Sequence, residues 1–164
     1  MKMIGSKVLQ AFNEQILHEQ ASSHIYLAMA ADFHYKGFDG MAQWFRAQAR
    51  EEEGHALKFF DHIKDRGGKI ELEALPKPKT EWASPLDAFE DAYQHERFIT
   101  AKINDLVSLA ASEKDNAAAV FLQWFVTEQV EEEAQTSKIV QTLKIIGNSG
   151  SGLVMLDRQL GKRT

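Results

Sequence analysis

The sequence predicts an all-α fold: a four-helix bundle with a long crossover between its second and third helices and a short fifth helix at the C-terminus. Two observations lead to this prediction. Apolar residues recur at helical spacing in four long segments, and helix-ending glycines and prolines fall between those segments. The chain has 164 residues, 44% of them hydrophobic, which is enough for one core. We therefore expect a single domain over residues 1–164, with the bundle at about residues 6–146.

The first two helices are expected to lie antiparallel. The first covers about residues 6–36, where Ser6 can cap its start and Gly37 ends it. The second begins near residue 38 or 41 and ends at Arg66, before two glycines. Because the connection between the two helices is short, the second must turn straight back along the first.

A long crossover is expected between the second and third helices. Residues 69–84 contain Pro76 and Pro78 and are typical of an extended loop. At about 3.3 Å per residue this loop can span about 50 Å, whereas the second helix, at 1.5 Å per residue, is about 40 Å long. The loop can therefore run the whole length of the bundle and bring the third helix back parallel to the second.

The last three helices follow from local signals. Ser84 can cap the third helix, with Pro85 at its first position, and this helix is expected over about residues 85–112. The fourth is expected over about residues 115–146. A short fifth helix is expected at about residues 151–161, where leucines recur at helical spacing. Because so short a helix is unstable alone, it must dock on this bundle or on a neighbouring subunit.

Composition excludes several classes of function. The net charge of −5 argues against a nucleic-acid surface, which is normally basic. The chain has no cysteine, which excludes disulfides, thiolate metal sites, iron–sulfur clusters and cysteine nucleophiles. No stretch approaches the ~20 apolar residues of a membrane span, and the first ten residues lack the apolar run of a signal peptide. The expected compartment is the cytoplasm, with neither nucleic acid nor a membrane as partner.

Four positions in phase with the core are acidic, one on each long helix: Glu19, Glu52, Glu96 and Glu132. Glu52, for example, lies seven residues after Phe45 and seven before Phe59, so it points the same way as these aromatic side chains. Burying an unpaired ionised carboxylate costs several kcal/mol, and four in one core would repel one another. A bound cation is the simplest remedy.

Glu52 and His55 indicate which cation to expect. Residues three apart share a helix face and can bind one metal ion. Such a pair often occurs on surfaces by chance, but its combination with three other core-phase carboxylates predicts a metal site. Carboxylates with one imidazole suit iron.

The fourth helix carries an acidic run over residues 128–133. Successive residues point 100° apart, so the run cannot form one solvated face. Gln129 and Glu132 follow the core stripe, whereas Glu133 is expected at the surface. A second cluster could flank the main site: Glu51, Glu128 and Glu131.

Two aromatic residues near this site allow different interpretations. Tyr26 lies one heptad after Glu19, where it is either a core tyrosine with a satisfied hydroxyl or a redox-active group. Trp124 lies near an aromatic stripe and is expected in the core.

These residues resemble those of the bacterial non-haem ferritins over essentially the whole chain. The resemblance is carried by Asn13–Tyr26, by the run Ala49–His55, by His95-Glu96 and by the run Phe121–Glu133. It implies iron storage and detoxification by a ferroxidase, which oxidises Fe(II) with dioxygen or hydrogen peroxide at a di-iron site. It also implies a hollow cage of twenty-four copies of the chain that holds a ferric mineral.

The resemblance also implies roles for individual residues. Glu19, Glu52 and His55 would hold the first iron. Glu52 would bridge to a second iron held by Glu96 and Glu132, with Gln129 nearby. Tyr26 joins Glu19, Glu52, His55, Glu96 and Gln129 as a candidate catalytic residue, and Glu51, Glu128 and Glu131 would form an accessory third site.

Departures from related families argue against haem. Haem-carrying bacterioferritins and rubrerythrins place a second Glu-x-x-His on the fourth helix, where this chain has Gln129-x-x-Glu132. Where a bacterioferritin would have a haem-ligating methionine, this chain has Glu53. No haem is therefore expected.

Two other functions stay open at this point. One is a di-iron peroxidase or oxygenase on the same bundle, which would need a substrate pocket or an electron donor. The other is a helical interaction protein whose acidic positions are exposed.

Overall fold

The structure, a computed structural model, describes residues 3–164 and confirms the all-α prediction. The helices are α1 (Ser6–Tyr35), α2 (Asp39–Asp65), α3 (Pro85–Ser112), α4 (Asn116–Ile146) and α5 (Gly150–Leu160). None of the described residues lies in a strand. Within residues 3–164, no helix combines the length and the apolar character needed to cross a membrane.

The helix starts agree with the sequence signals except at α1. Ser84 caps α3 as expected, accepting a hydrogen bond from the backbone N–H of Asp87 at 3.1 Å. The expectation that Ser6 caps α1 was wrong, because Gly5 occupies that position and Ser6 is the first helical residue. The carbonyl of Gly5 already accepts the first helical hydrogen bond, from the N–H of Leu9 at 2.8 Å.

Contacts between α1 and α3 establish the crossover topology. Ser22 Oγ lies 2.6 Å from His95 Nε2, and the Tyr26 hydroxyl oxygen lies 3.5 Å from the carbonyl oxygen of Ala92. The partner's number falls as the α1 number rises, so α3 is antiparallel to α1. Since α2 turns back along α1 after a short connection, α2 and α3 are parallel and the long crossover is confirmed.

The crossover follows α1. Near its start, Asn13 donates from Nδ2 to the carbonyl of Lys69 at 3.0 Å and accepts from the N–H of Glu71 at 2.9 Å. Near its end, the N–H of Trp82 donates to Asp32 Oδ2 at 3.2 Å. These contacts on α1 are about 28 Å apart at 1.5 Å per residue, so the loop spans much of the bundle.

The C-terminal helix α5 docks on α2 of its own chain. The sequence alone left open whether it docks on this bundle or on a neighbouring subunit. Asp157 Oδ1 accepts the backbone N–H of Met41 at 2.8 Å, and Leu156 and Leu160 are buried. The two backbones approach closely at Gly40, where an added Cβ would lie 1.7 Å from the Asp157 carbonyl oxygen. Only glycine fits there without moving α5.

The apolar core forms two clusters separated by a polar layer. One cluster surrounds Phe45 and Phe89, and the other surrounds Phe59 and Phe125. Between them lie ten buried polar side chains of the four long helices: Gln15, Glu19, Ser22, Gln48, Glu52, His55, Glu96, Gln129, Glu132 and Thr136. The four core-phase carboxylates, His55 and Gln129 lie in this layer.

Candidate metal centre

The polar layer brings together the four core-phase carboxylates. One acidic side chain comes from each long helix, as the heptad phasing requires. All four are almost completely shielded from solvent: Glu19, Glu52, Glu96 and Glu132. The alternative in which these positions are exposed is therefore excluded.

Glu19, Glu52 and His55 form the first metal group. His55 Nδ1 lies 3.1 Å from Glu52 Oε2 and 3.8 Å from Glu19 Oε2. One potential ligand atom from each residue lies within 4.8 Å of the others. Glu52 and His55 reach the same point because residues three apart share a helix face. Two carboxylates and one imidazole are a donor set that suits iron.

Glu52, Glu96 and Glu132 form the second metal group. One oxygen from each carboxylate lies within 4.8 Å of the other two, and all three residues are buried. Glu52 therefore belongs to both groups and lies where it can contact an ion in either one.

Two buried glutamines that were not selected from the sequence hold these carboxylates. Gln15 Nε2 donates to Glu19 Oε1 at 3.0 Å. Gln48 Nε2 donates to Glu52 Oε1 at 2.8 Å and to Glu132 Oε2 at 2.7 Å, which joins α2 to α4. Each glutamine lies four residues before a core-phase glutamate and so shares its face. That spacing is the signal that could have identified both.

Tyr26 and Gln129 lie beside Glu96. The Tyr26 hydroxyl donates to Glu96 Oε1 at 2.5 Å, and Gln129 Nε2 donates to Glu96 Oε2 at 3.1 Å. Both oxygens of Glu96 are thus held by neutral donors. Tyr26 contacts the layer through Glu96.

Unmet hydrogen-bond acceptors indicate that the layer suits a cation. Among the described residues, the buried atoms Glu19 Oε2 and Gln48 Oε1 accept no hydrogen bond. Buried polar atoms nearly always have a partner, and a cation among carboxylates would satisfy such oxygens. Hard oxygen donors with one imidazole nitrogen fit iron.

Burial and mutual repulsion raise the pKa values of the carboxyl groups. Desolvation, followed by repulsion from Glu96 and Glu52, raises the pKa of Glu132 to about 9. Desolvation and the charge of Glu52 raise the pKa of Glu96 well above its ordinary value. Desolvation and the negative charge of Glu19 raise the pKa of Glu52 to about 7, although a hydrogen bond with His55 opposes the change. A metal ion must displace the protons that these groups hold.

His55 balances charge in the first metal group. Burial alone lowers the pKa of His55, but the nearby carboxylates of Glu19 and Glu52 outweigh burial and raise the pKa to about 11. Without a metal ion, His55 is therefore an imidazolium paired with carboxylates. Burial, together with the charge of Glu96, raises the pKa of Tyr26 well above 10, so its hydroxyl keeps the proton it donates.

Within residues 3–164, the three accessory-site residues do not form one of the candidate metal groups. Glu51 and Glu131 are exposed, and Glu51 Oε2 pairs with Arg163 Nη2 at 3.0 Å. Glu128 instead lies close to the main site, with Oε1 3.9 Å from His55 Nε2, and groups with His55 and Glu132. The accessory site stays a prediction, and Arg163 is a competing cation at one of its ligands.

Trp124 was expected in the core but is 42% exposed. Its neighbour Phe125 occupies the core stripe, so Trp124 points towards the bundle edge. Its ring packs edge-on against His55, with centroids 5.4 Å apart, and Lys58 Nζ lies 4.1 Å from the ring centroid. Trp124 thus covers the outer side of the first metal group.

A four-helix bundle that buries two carboxylate-rich groups around a shared glutamate is the arrangement found in dimetal carboxylate proteins. Comparison with known proteins specifies the family. A family model described as the ferritin-like domain matches residues 9–146. The chain belongs to the ferritin family.

Individual relatives agree with this assignment over nearly the full length. The bacterial non-heme ferritin of Bacteroides fragilis (strain 638R) is 43% identical, covering 98% of this chain and 100% of that protein. The bacterial non-heme ferritin of Staphylococcus aureus (strain MRSA252) is 37% identical, covering 99% and 98%. A crystal structure of an open-pore ferritin from the hyperthermophilic archaeon Archaeoglobus fulgidus superposes with a TM-score of 0.97 at 45% identity, covering 98% of this chain and 99% of that one.

Proposed function

We propose that this protein stores and detoxifies iron by binding two Fe(II) ions per chain, oxidising them to Fe(III) and retaining the product as a ferric mineral inside an oligomeric shell. The observation that carries the proposal is the pair of buried metal groups that share Glu52. Family membership supports it, since the relatives are non-heme ferritins. Residues 1–164 act as one domain in this proposal.

Electron balance requires both groups to be filled. Each Fe(II) gives up one electron on becoming Fe(III), so two ions supply the two electrons that convert dioxygen to hydrogen peroxide or hydrogen peroxide to water. Either reduction also takes up two protons. Iron is here the substrate and cargo, and dioxygen or hydrogen peroxide is the oxidant.

The chain's own contribution is position and charge. In the first metal group Glu19, Glu52 and His55 hold one Fe(II), and in the second Glu96 and Glu132 hold the other together with the shared Glu52. Hard carboxylate oxygens favour Fe(III) over Fe(II), which assists oxidation. With only one imidazole among the ligands, Fe(III) is held by few strong nitrogen donors and can leave as a mineral precursor.

Storage requires a shell, and we propose twenty-four copies of the chain in the cytoplasm. One solved relative is an open-pore ferritin, and an engineered variant of it is a closed form. In this chain α1 and the crossover expose large apolar side chains, with Leu27 52% and Leu72 62% exposed. Exposed apolar surface of this kind supports contact with further copies. Light scattering of the purified protein measures the particle mass directly and separates a large shell from a small di-iron enzyme.

Replacing the shared ligand tests the ferroxidase proposal. Glu52→Ala removes a ligand from both metal groups, so fast Fe(II) oxidation in a stopped-flow assay should be abolished. Glu53→Ala is the matched control, because Glu53 is the next residue on α2 but is exposed. Equal oxidation rates for Glu52→Ala and the wild type would refute the proposal.

A further inference from the structure

The Glu132 carboxylate is held by fewer groups than its neighbour in the second metal group. The Glu96 carboxylate accepts hydrogen bonds from Tyr26 and from Gln129, one on each oxygen. Within residues 3–164, the Glu132 carboxylate accepts a hydrogen bond only from Gln48, whose Nε2 lies 2.7 Å from Glu132 Oε2. The position of this carboxylate therefore depends on a single donor.

Glu132 is also a ligand for which two sets of partners compete. It groups with Glu52 and Glu96 in the second metal group, and it groups equally with His55 and Glu128. An ion held by His55 and Glu128 would draw the Glu132 carboxylate away from the second metal group. Some restraint is needed if Glu132 is to serve the second metal group alone.

Gln48 and Glu128 approach Glu132 from opposite ends of the polar layer. On α2, Gln48 lies seven residues before His55, which is about 10 Å along the axis at 1.5 Å per residue. Glu128 belongs to the His55 end, since its Oε1 lies 3.9 Å from His55 Nε2. The hydrogen bond from Gln48 therefore restrains Glu132 at the end of the layer away from Glu128.

The amide of Gln48 suits the metal-loaded form of its two partners. Its Nε2 carries two hydrogens, which serve Glu52 Oε1 at 2.8 Å and Glu132 Oε2 at 2.7 Å. A carboxylate that holds a metal ion has lost its proton and can only accept hydrogen bonds, so the nitrogen end of the amide must face both ligands. Gln48 is fully buried and no group within residues 3–164 donates to its Oε1, so no other contact opposes this orientation.

We propose that Gln48 is a positioning residue that keeps Glu132 in the second metal group. The inference rests on the proposed dimetal function. Without the N–H groups of Gln48, Glu132 has no donor to hold it and turns towards His55 and Glu128, so the second metal group loses a ligand. Glu52 is affected less, because its other oxygen still lies 3.1 Å from His55 Nδ1.

Gln15 provides a matched comparison in the first metal group. It lies four residues before Glu19, as Gln48 lies four before Glu52, and it donates to Glu19 Oε1 at 3.0 Å. Gln48→Met and Gln15→Met each keep the length of the side chain and remove the amide. Gln123→Met is the control for the substitution itself, because Gln123 is an exposed glutamine on α4.

Titration of the assembled, metal-free protein with Co(II), followed by visible absorption, measures metal binding without any oxidation. The two ions absorb differently, because only the first metal group supplies an imidazole nitrogen. We expect Gln48→Met to weaken the ion of the second metal group by about tenfold or more, as loss of an outer hydrogen bond to a ligand typically does, and to affect the other ion less. Gln15→Met should show the reverse pattern, and Gln123→Met should bind both ions like the wild type.

Crystals loaded anaerobically with Co(II) test the contact itself. In the wild type, where no substitution can disturb folding, Gln48 Nε2 should remain within hydrogen-bond distance of Glu132. In Gln48→Met, the Glu132 carboxylate should lie nearer to Glu128.

Four outcomes would overturn the positioning role: wild-type affinity for the ion of the second metal group in Gln48→Met, the same pattern of losses in Gln48→Met and Gln15→Met, a loaded wild type in which Gln48 has left Glu132, or an unmoved Glu132 in Gln48→Met. Failure of the proposed function looks different, because the wild type itself would then bind fewer than two Co(II) ions per chain.

Discussion

The two metal groups share Glu52 but balance their charge in different ways. In the first, His55 lies beside Glu19 and Glu52, and its pKa is raised to about 11. In the second, Glu96 and Glu132 accept hydrogen bonds only from neutral donors, and the pKa of Glu132 is raised to about 9. The first group is therefore an internal ion pair without metal, whereas the second keeps protons until a cation replaces them.

This difference shows how one bundle can be stable when empty and still bind cations. An ion pair buried with good geometry needs no metal to hold its charges. A group of three carboxylates gains far more from a cation, because the ion replaces repulsion with attraction.

Removing a ligand unique to one group should remove one metal ion and nearly all fast oxidation. Glu19→Ala should delete the first ion and Glu96→Ala the second, and each should slow oxidation on the order of 100-fold or more, since two electrons are needed. Anaerobic Fe(II) titration counts the ions and stopped-flow absorbance gives the rate. If either variant still bound two ions at wild-type affinity, the division into groups would be wrong.

Substitutions that remove charge should have opposite effects on the metal-free protein. His55→Gln leaves Glu19 and Glu52 without their counter-ion and should lower the free energy of unfolding by about 3 kcal/mol. Glu132→Gln removes a group whose pKa is raised from 4.5 to about 9 and should raise the free energy of unfolding by about 1–3 kcal/mol at pH 7. Denaturant unfolding measures both, and changes of the same sign would contradict the contrast.

The pH dependence of the metal-free protein should follow from the raised pKa values. A carboxyl whose folded pKa exceeds its unfolded value of 4.5 contributes most below pH 4.5, and this contribution is lost as pH rises through about 7 for Glu52 and about 9 for Glu132. Stability should therefore fall between pH 5 and 9, and Glu132→Gln should flatten the fall between pH 7 and 9. Melting temperatures measured across this range provide the test. A wild-type stability that rises with pH in this window is the opposite of the expected result.

The smallest effect is expected at the predicted accessory site. Arg163→Ala frees Glu51 from its ion pair and should increase binding of ions beyond the first two, with no change in those two. Arg158→Ala on the exposed side of α5 is the control. Converting Glu51, Glu128 and Glu131 to alanine should abolish any gain made by Arg163→Ala. If that gain survives in the combined variant, these carboxylates are not the ligands.

Periodicity predicted the bundle and its four acidic core positions because each depends on spacing along one helix. Glu19, Glu52, Glu96 and Glu132 were identified in this way, and the polar layer gathers all four. Gln15 and Gln48 obey the same spacing, but glutamine carries no charge that makes a core position conspicuous. Their importance appears only when the bonds to carboxylates are seen.

Contacts between distant segments could not be predicted from spacing. Arg163 reaches Glu51 only because α5 docks beside α2, and the exposed edge at Trp124 depends on how α4 is rotated in the bundle. The half-buried position of Glu133 likewise depends on Thr100 of another helix. Each of these contacts depends on how two segments pack together, and the residue spacing within one helix gives no information about that packing.

We propose that the two metal groups bind two iron ions on either side of Glu52. Crystals of the protein loaded anaerobically with Fe(II) and measured at the iron absorption edge test this directly. We predict two anomalous peaks per chain, one among Glu19, Glu52 and His55 and the other among Glu52, Glu96 and Glu132. A single peak, or two peaks that do not share Glu52 as a ligand, would contradict the account.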